Sequence, residues 1–144
     1  MQNEVTVFSG KTHIDSRGTL IYFNEFDLAT IKRMYIIEHS DTNIIRAWQG
    51  HQKEQKWFYI ISGSFKIILI KIDNWQNPSA DLSAREFILT QYNYQVLHVE
   101  GGYVSGFRAL KPNSRLMIFS DFSLMESLGD DFRYDKHKWY NWAN

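Results

Sequence analysis

The sequence predicts an all-β fold closed into a small barrel or two-sheet jelly roll, with minor helical segments. The first observation is spacing. Short apolar runs alternate with turn residues about every 8–12 positions, the rhythm of sandwiches and barrels. The second is composition. Aromatic residues make up 16% of the chain, and aromatic side chains favour strands. The third is an argument from edges. Strands this apolar and this numerous would expose costly unpaired edges in an open sheet, and closure removes them.

The runs themselves place strands at Thr19–Asn24, Lys32–Glu38, Ile44–Gln49, Lys56–Ser62, Ser64–Lys71, Glu86–Thr90, Gln95–Val99, Val104–Ala109 and Arg115–Ser120. Ser62-Gly63-Ser64 reads as a tight hairpin between two strongly apolar runs, with glycine supplying a positive φ. Gly101-Gly102 and Lys111-Pro112-Asn113-Ser114 read as two more tight turns. Asp73–Asp81 carries Asn, Pro and Ser and reads as an exposed loop, and Phe26–Thr30 as one helical turn. The tail from Ser123 mixes Met, Leu and aromatics with charges, which predicts a short helix or coil packed on the barrel.

A chain of 144 residues is the size of one domain, so residues 1–144 are read as a single domain with its own core. The absence of cysteine excludes disulfides and thiolate metal sites and fits a reducing compartment. Sixteen basic residues balance sixteen acidic ones, so no global field steers the chain onto nucleic acid or an anionic membrane. No apolar stretch approaches the roughly 18 residues of a membrane span, and the polar start Met-Gln-Asn-Glu predicts no signal peptide.

Polar chemistry concentrates in Arg46-Ala-Trp-Gln-Gly-His51 and the nearby Lys56. In an extended chain, residues two apart share a face, so Gln49 and His51 point the same way. Arg46 is out of phase with them and joins the same pocket only if the strand bulges or twists between. An Arg, a His and a Lys held close together are expensive unless they meet solvent or an anionic ligand. Two readings stay open on spacing alone: an anion- and sugar-binding pocket with a base, or a solvated rim of unrelated charges.

Arg46-Ala-Trp-Gln-Gly-His51, Lys56-Trp-Phe and Ser62-Gly63-Ser64 together resemble the first cupin motif, and Glu100-Gly-Gly-Tyr-Val-Ser105 resembles the second. More narrowly, the chain resembles the cupin-type nucleotide-sugar enzymes. These are the dTDP-4-dehydrorhamnose 3,5-epimerases and the related dTDP-4-keto-6-deoxyglucose 3,4-ketoisomerases of the WxcM-like group. Asp15-Ser-Arg17-Gly18-Thr-Leu matches the family's opening segment. Phe119-Ser-Asp121-Phe and Asp130-Asp-Phe-Arg133-Tyr resemble its closing portion. The resemblance spans residues 10–140 and implies a cupin jelly-roll barrel that acts on a nucleotide-activated 4-keto-6-deoxyhexose without a cofactor. It also implies a homodimer, and a place in surface polysaccharide synthesis in the cytoplasm.

The residues refine what the resemblance implies. The four metal-ligand positions of generic cupins hold Gln49, His51, Lys56 and Ser105, so no metal is expected here. Gln49 stands where the epimerases carry their base, and an amide has no basic lone pair useful near neutrality. The family's acidic Tyr falls on Met117 by ungapped count. His51 matches the second His of the ketoisomerase motif and is the candidate base, with Lys56 placed to stabilise an enediolate. Arg17 and Arg46 are candidates to hold the sugar or diphosphate, with Lys53 a weaker one. A catalytically reduced cupin that binds a nucleotide sugar without turnover is the alternative, motivated by Gln49 and Met117.

Other side chains are read both ways. Trp48 shares a strand face with Arg46 and is placed either to stack on a sugar or to pack in the core. His98 has apolar neighbours on both faces, so pocket lining and core stay open. Tyr59, Tyr103 and Phe107 either line the barrel or fill it. His39 reads as loop, His13 and His137 as surface, and Asp121 as support for the fold. Glu54 and Asp130 carry no assigned role.

Overall fold

The structure, a computed structural model, describes residues 5–143. In chain order the strands are β1 (Val5–Ser9), β2 (Lys11–Asp15), β3 (Gly18–Tyr22), β4 (Arg33–His39), β5 (Ile45–His51), β6 (Lys56–Ser62), β7 (Ser64–Lys71), β8 (Ala84–Thr90), β9 (Gln95–Val99), β10 (Tyr103–Ala109) and β11 (Ser114–Ser120). Helix α1 (Leu124–Leu128) and the two-residue β12 (Phe132–Arg133) follow. One antiparallel sheet runs β1-β9-β6-β11-β4 and another β12-β5-β10-β7-β8, while β2 and β3 form a separate hairpin.

The two sheets face each other across a core in which β6 supplies Phe58 and Ile60, β7 Phe65, Ile67 and Leu69, and β11 Leu116 and Ile118. Strand β7 is buried on both faces. Its alternate residues Ile68 and Ile70 join Trp48, Val104 and Trp142 in a second cluster beneath the C-terminal tail. A strand covered on both sides reads as a continuous apolar run rather than an alternating one, and Ser64–Lys71 is such a run.

The turn at Ser62-Gly63-Ser64 is tight, with Gly63 at φ 77°, but it is not a hairpin. Strand β6 pairs with β9 and β11, and β7 pairs with β8 and β10, so Gly63 carries the chain from one sheet to the other. Gly102, at φ 106°, lies in the corresponding crossing between β9 and β10. Residues 26–30 hold turns and coil in place of the expected helical turn. Phe26 stacks over the outer face of the first sheet, near Trp57 and Phe119.

His39 is not loop. It closes β4 and is 3% exposed, wedged beside the rings of Phe65 and Phe107 with neither ring nitrogen hydrogen-bonded. Burial, and then the charge of Arg46, lower its pKa. The unfolded imidazole takes up a proton near pH 6.5 and the buried one resists it. Stability is therefore lost as pH falls from about 6.5 towards the lower folded value. His39→Leu is expected to shrink that acid-side loss, read as a flatter plot of denaturant midpoint against pH between 7 and 5.

Candidate active site

Strand β5 positions the site. Ser105 on β10 faces Gln49, and Phe107 faces Arg46, so three residues of β5 span two of β10. This is the bulge that the out-of-phase spacing required, and it falls at Ala47 and Trp48. Arg46 and Gln49 thereby line one cavity of about 460 Å³ with Tyr35, Lys56, Arg133 and Tyr134. Arg46, Lys56 and Arg133 are cations, and the lining contains no carboxylate.

Lys56, at the start of β6, is 7% exposed. Its Nζ donates to Gln49 Oε1 at 3.4 Å and lies 5.7 Å from the centre of the Tyr35 ring. Among the described residues it pairs with no carboxylate. A buried cation left in that state is costly unless an anion completes the site. Gln49 also donates from its amide to Asp131 Oδ1 at 3.3 Å, and Asp131 in turn pairs with Arg133 at 2.8 Å.

His51 ends β5 and is 5% exposed. Its Nδ1 lies 2.6 Å from the main-chain oxygen of Asp130, and a carbonyl only accepts, so the proton sits on Nδ1. Nε2 is then a free lone pair, and it has no partner. Burial first, and then the charge of Lys56, push the pKa of His51 down. A neutral imidazole with Nε2 unengaged is a base ready at neutral pH. His51, Gln49, Lys56, Ser105 and Tyr103 line a small void of about 10 Å³, and Gln49, Lys56 and Ser105 also line the larger cavity.

The loop after β5 is pinned from the tail. The Asp130 carboxylate accepts from the N–H groups of Gln52, Lys53 and Glu54 at 2.7–2.9 Å. Asp121 accepts from Gln55 N at 2.8 Å, and burial raises its pKa. The side chain of Glu54 is wholly buried, with Arg33, Ser120, Ser127 and His51 around its two oxygens. Strand β12 then pairs with β5, Arg133 opposite Gln49, and brings Arg133 to the cavity.

Not every expected site residue joins this group. Trp48 borders the cavity, but its ring is core. It is 1% exposed, packs against Trp139 and Trp142, and donates its indole N–H to Lys138 O. His98 lies on the outer face of the first sheet, 4.4 Å from the Trp57 ring in parallel stacking, with Gln55 Oε1 2.7 Å from Nε2. Met117 and Tyr59 line a groove on that same outer face. Ile118, its neighbour on β11, is the residue that reaches the cavity. Arg17 stands at the tip of the β2–β3 hairpin, its side chain 85% exposed and held by Asp15 at 2.7 Å, away from the cavity of its own chain. Lys53 is exposed on its loop.

Arg133, Tyr35, Tyr134 and Asp131 were not singled out as site residues from sequence. The Asp130-Asp-Phe-Arg133-Tyr segment was the available signal for three of them. Among the described residues, no cluster of three or more His, Asp or Glu side chains is arranged to hold a metal ion. No helix among them is long and apolar enough to cross a membrane.

No protein-family model matches the sequence, and no curated protein does. Solved structures do match. A sugar 3,4-ketoisomerase from Thermoanaerobacterium thermosaccharolyticum, in complex with TDP, superposes with a TM-score of 0.70 at 22% identity, covering 93% of this chain and 90% of that one. The TDP-quinovose 3,4-ketoisomerase of Campylobacter jejuni gives 0.67 at 18%, covering 92% and 95%. The dTDP-4-dehydrorhamnose 3,5-epimerase of Bacillus anthracis, with TDP and PPi bound, gives 0.74 at 17%, covering 93% and 80%. The chain therefore has the all-β cupin jelly-roll fold that these dTDP-sugar ketoisomerases and epimerases share.

Proposed function

We propose that this protein is a cofactor-independent isomerase of a nucleotide-activated 4-keto-6-deoxyhexose, dTDP-linked or similar, serving cytoplasmic synthesis of surface polysaccharide. The observation that carries the reading is a neutral His51 whose Nε2 is unengaged, beside a buried Lys56 that has no carboxylate partner among the described residues. In this reading His51 Nε2 removes the proton from a carbon next to the keto group. The electrons flow to the carbonyl oxygen, and Lys56 offsets the enediolate charge. The proton moves between the two oxygens and His51 returns one to the former carbonyl carbon, which transposes the keto group. Epimerisation at one carbon needs a second group on the opposite face, and Gln49 does not supply a base. Ketoisomerisation is favoured on that ground. Gln49 and Tyr103 remain beside the reacting carbons, and Arg46 and Arg133 take the diphosphate.

In this reading Arg17 reaches the cavity of Arg46 and Arg133 from a second copy, in a homodimer. Exposed Met34, Ile36 and Leu28 give such a partner an apolar surface to cover. A second reading, nucleotide-sugar binding without turnover, draws on Gln49 at the expected base position, its amide oxygen engaged by Lys56. Calorimetry with dTDP tests the shared claim: wild-type protein binds. Each of Arg46→Ala and Arg133→Ala weakens binding about tenfold, the size of one lost charge-assisted hydrogen bond. An absence of binding to dTDP, UDP and GDP alike removes both readings.

A further inference from the structure

We propose that Glu54 is a positioning residue for His51, a buried carboxylate fixed beside Nδ1 that compensates the imidazolium formed when Nε2 takes a proton. The proposal rests on the isomerase reading above and deepens it. Glu54 lies in the short loop between β5 and β6, and its side chain has no exposed surface. Its Oε1 is 3.3 Å from His51 Nδ1 and accepts from Ser127 Oγ at 2.6 Å. Its Oε2 accepts from Ser120 Oγ at 2.6 Å and from Arg33 at 3.0 Å. Three elements distant in sequence, β4, β11 and α1, thus hold one carboxylate in a fixed place beside the base.

A carboxylate this deeply buried is expensive, and Arg33 with two serine hydroxyls meets the cost only while the geometry holds. The His51 Nδ1–H donates to Asp130 O at 2.6 Å, and Glu54 Oε1 lies 3.3 Å from the same nitrogen. The first is neutral and fixes the tautomer. The second carries a full charge, which favours the protonated ring. The other charges around His51 are Lys56 on β6, Glu100 before β10, and Asp130 and Asp131 before β12. Burial and then Lys56 oppose protonation, and the Asp130 carbonyl and then Glu54 favour it.

The link from α1 to His51 runs through Ser127. That helix is five residues long and starts with a reciprocal cap between Ser123 and Glu126. Its second hydrogen-bonding role is to offer Ser127 to Glu54, which couples the tail to the base as well as to the fold.

The test is an NMR titration of the His51 imidazole, assigned by its loss in His51→Gln, in wild-type protein and in Glu54→Gln. Glu54→Gln keeps the shape and removes the charge. The expected result is a His51 midpoint lower by about one pH unit or more. A fall of about tenfold or more in turnover is expected with it, at unchanged KM. Glu54→Asp keeps the charge but withdraws it by one methylene, so the midpoint shifts the same way by less. It carries the test if Glu54→Gln does not fold. A midpoint that stays put or rises in a folded variant overturns the proposal. A role confined to stability lowers the denaturant midpoint without moving the titration, and that outcome overturns it too. The titration needs no substrate. An absence of turnover in wild-type protein therefore removes the isomerase reading, and the Glu54–His51 link is still decided by the midpoint.

Discussion

His51→Gln reduces deuterium uptake from solvent into dTDP-4-keto-6-deoxyglucose by about 10²–10⁴-fold, the usual contribution of a positioned general base. Glutamine matches the imidazole in reach and replaces the Nε2 lone pair with an amide that holds no proton at neutral pH. The diphosphate contacts assigned to Arg46 and Arg133 are untouched, so dTDP affinity by calorimetry stays within about twofold to threefold. That combination separates a lost base from a damaged pocket. The pH dependence follows from the same ring. His51 works deprotonated, and burial with the Lys56 charge holds its pKa below the ordinary imidazole value. Exchange is therefore full at neutral pH and is lost only as pH falls below about 6.5, through the lowered pKa of the folded protein.

Lys56→Met separates activity from stability. The side chain is buried without a carboxylate partner among the described residues, so a methionine of similar length removes a desolvated charge and fills the same space. The fold is expected to hold or gain slightly in denaturant midpoint, while turnover falls by about 10²–10³-fold, as for loss of one preorganised charge-stabilising group. The acid limb of the rate profile also moves. Lys56 lowers the pKa of His51, so removing it raises that pKa and shifts the limb to higher pH. Opposite signs on stability and turnover mark a group retained for chemistry. A Lys56→Met variant that is destabilised and fully active would identify the lysine as structural.

Much of the frame was legible because the core strands carry strong patterns. The predicted runs from Arg33 to Ser120 match β4 to β11 to within a residue or two. The sheet assignment was not legible, because a tight turn at Gly63 looks the same whether the chain folds back or crosses to another sheet. Strands β1, β2 and β12 were missed. The hairpin strand β2 is exposed along its whole length, and β12 has two residues, so neither leaves an apolar period to read.

At the site, Gln49, His51 and Lys56 line one small void, and a bulge at Ala47 and Trp48 lets Arg46 share the larger cavity with Gln49 and Lys56. Trp48 and His98 went elsewhere because local sequence does not say what covers a strand face. The tail tryptophans take Trp48, and the outer aromatic stack takes His98. Arg133 and Asp130 reach β5 from the tail, and Glu54, three residues after His51, is held in place by Ser127 of α1. Their contacts exist only once β12 and α1 have docked, so spacing within one segment does not reveal them.

The most direct test of the central claim is proton exchange followed by NMR in deuterated buffer with dTDP-4-keto-6-deoxyglucose. Deuterium at a carbon beside the keto group, with conversion to the 3-keto isomer and loss of both in His51→Gln, is the predicted result. Tight binding of the sugar nucleotide with no deuterium incorporated would contradict it and leave a cupin that binds its ligand without turning it over.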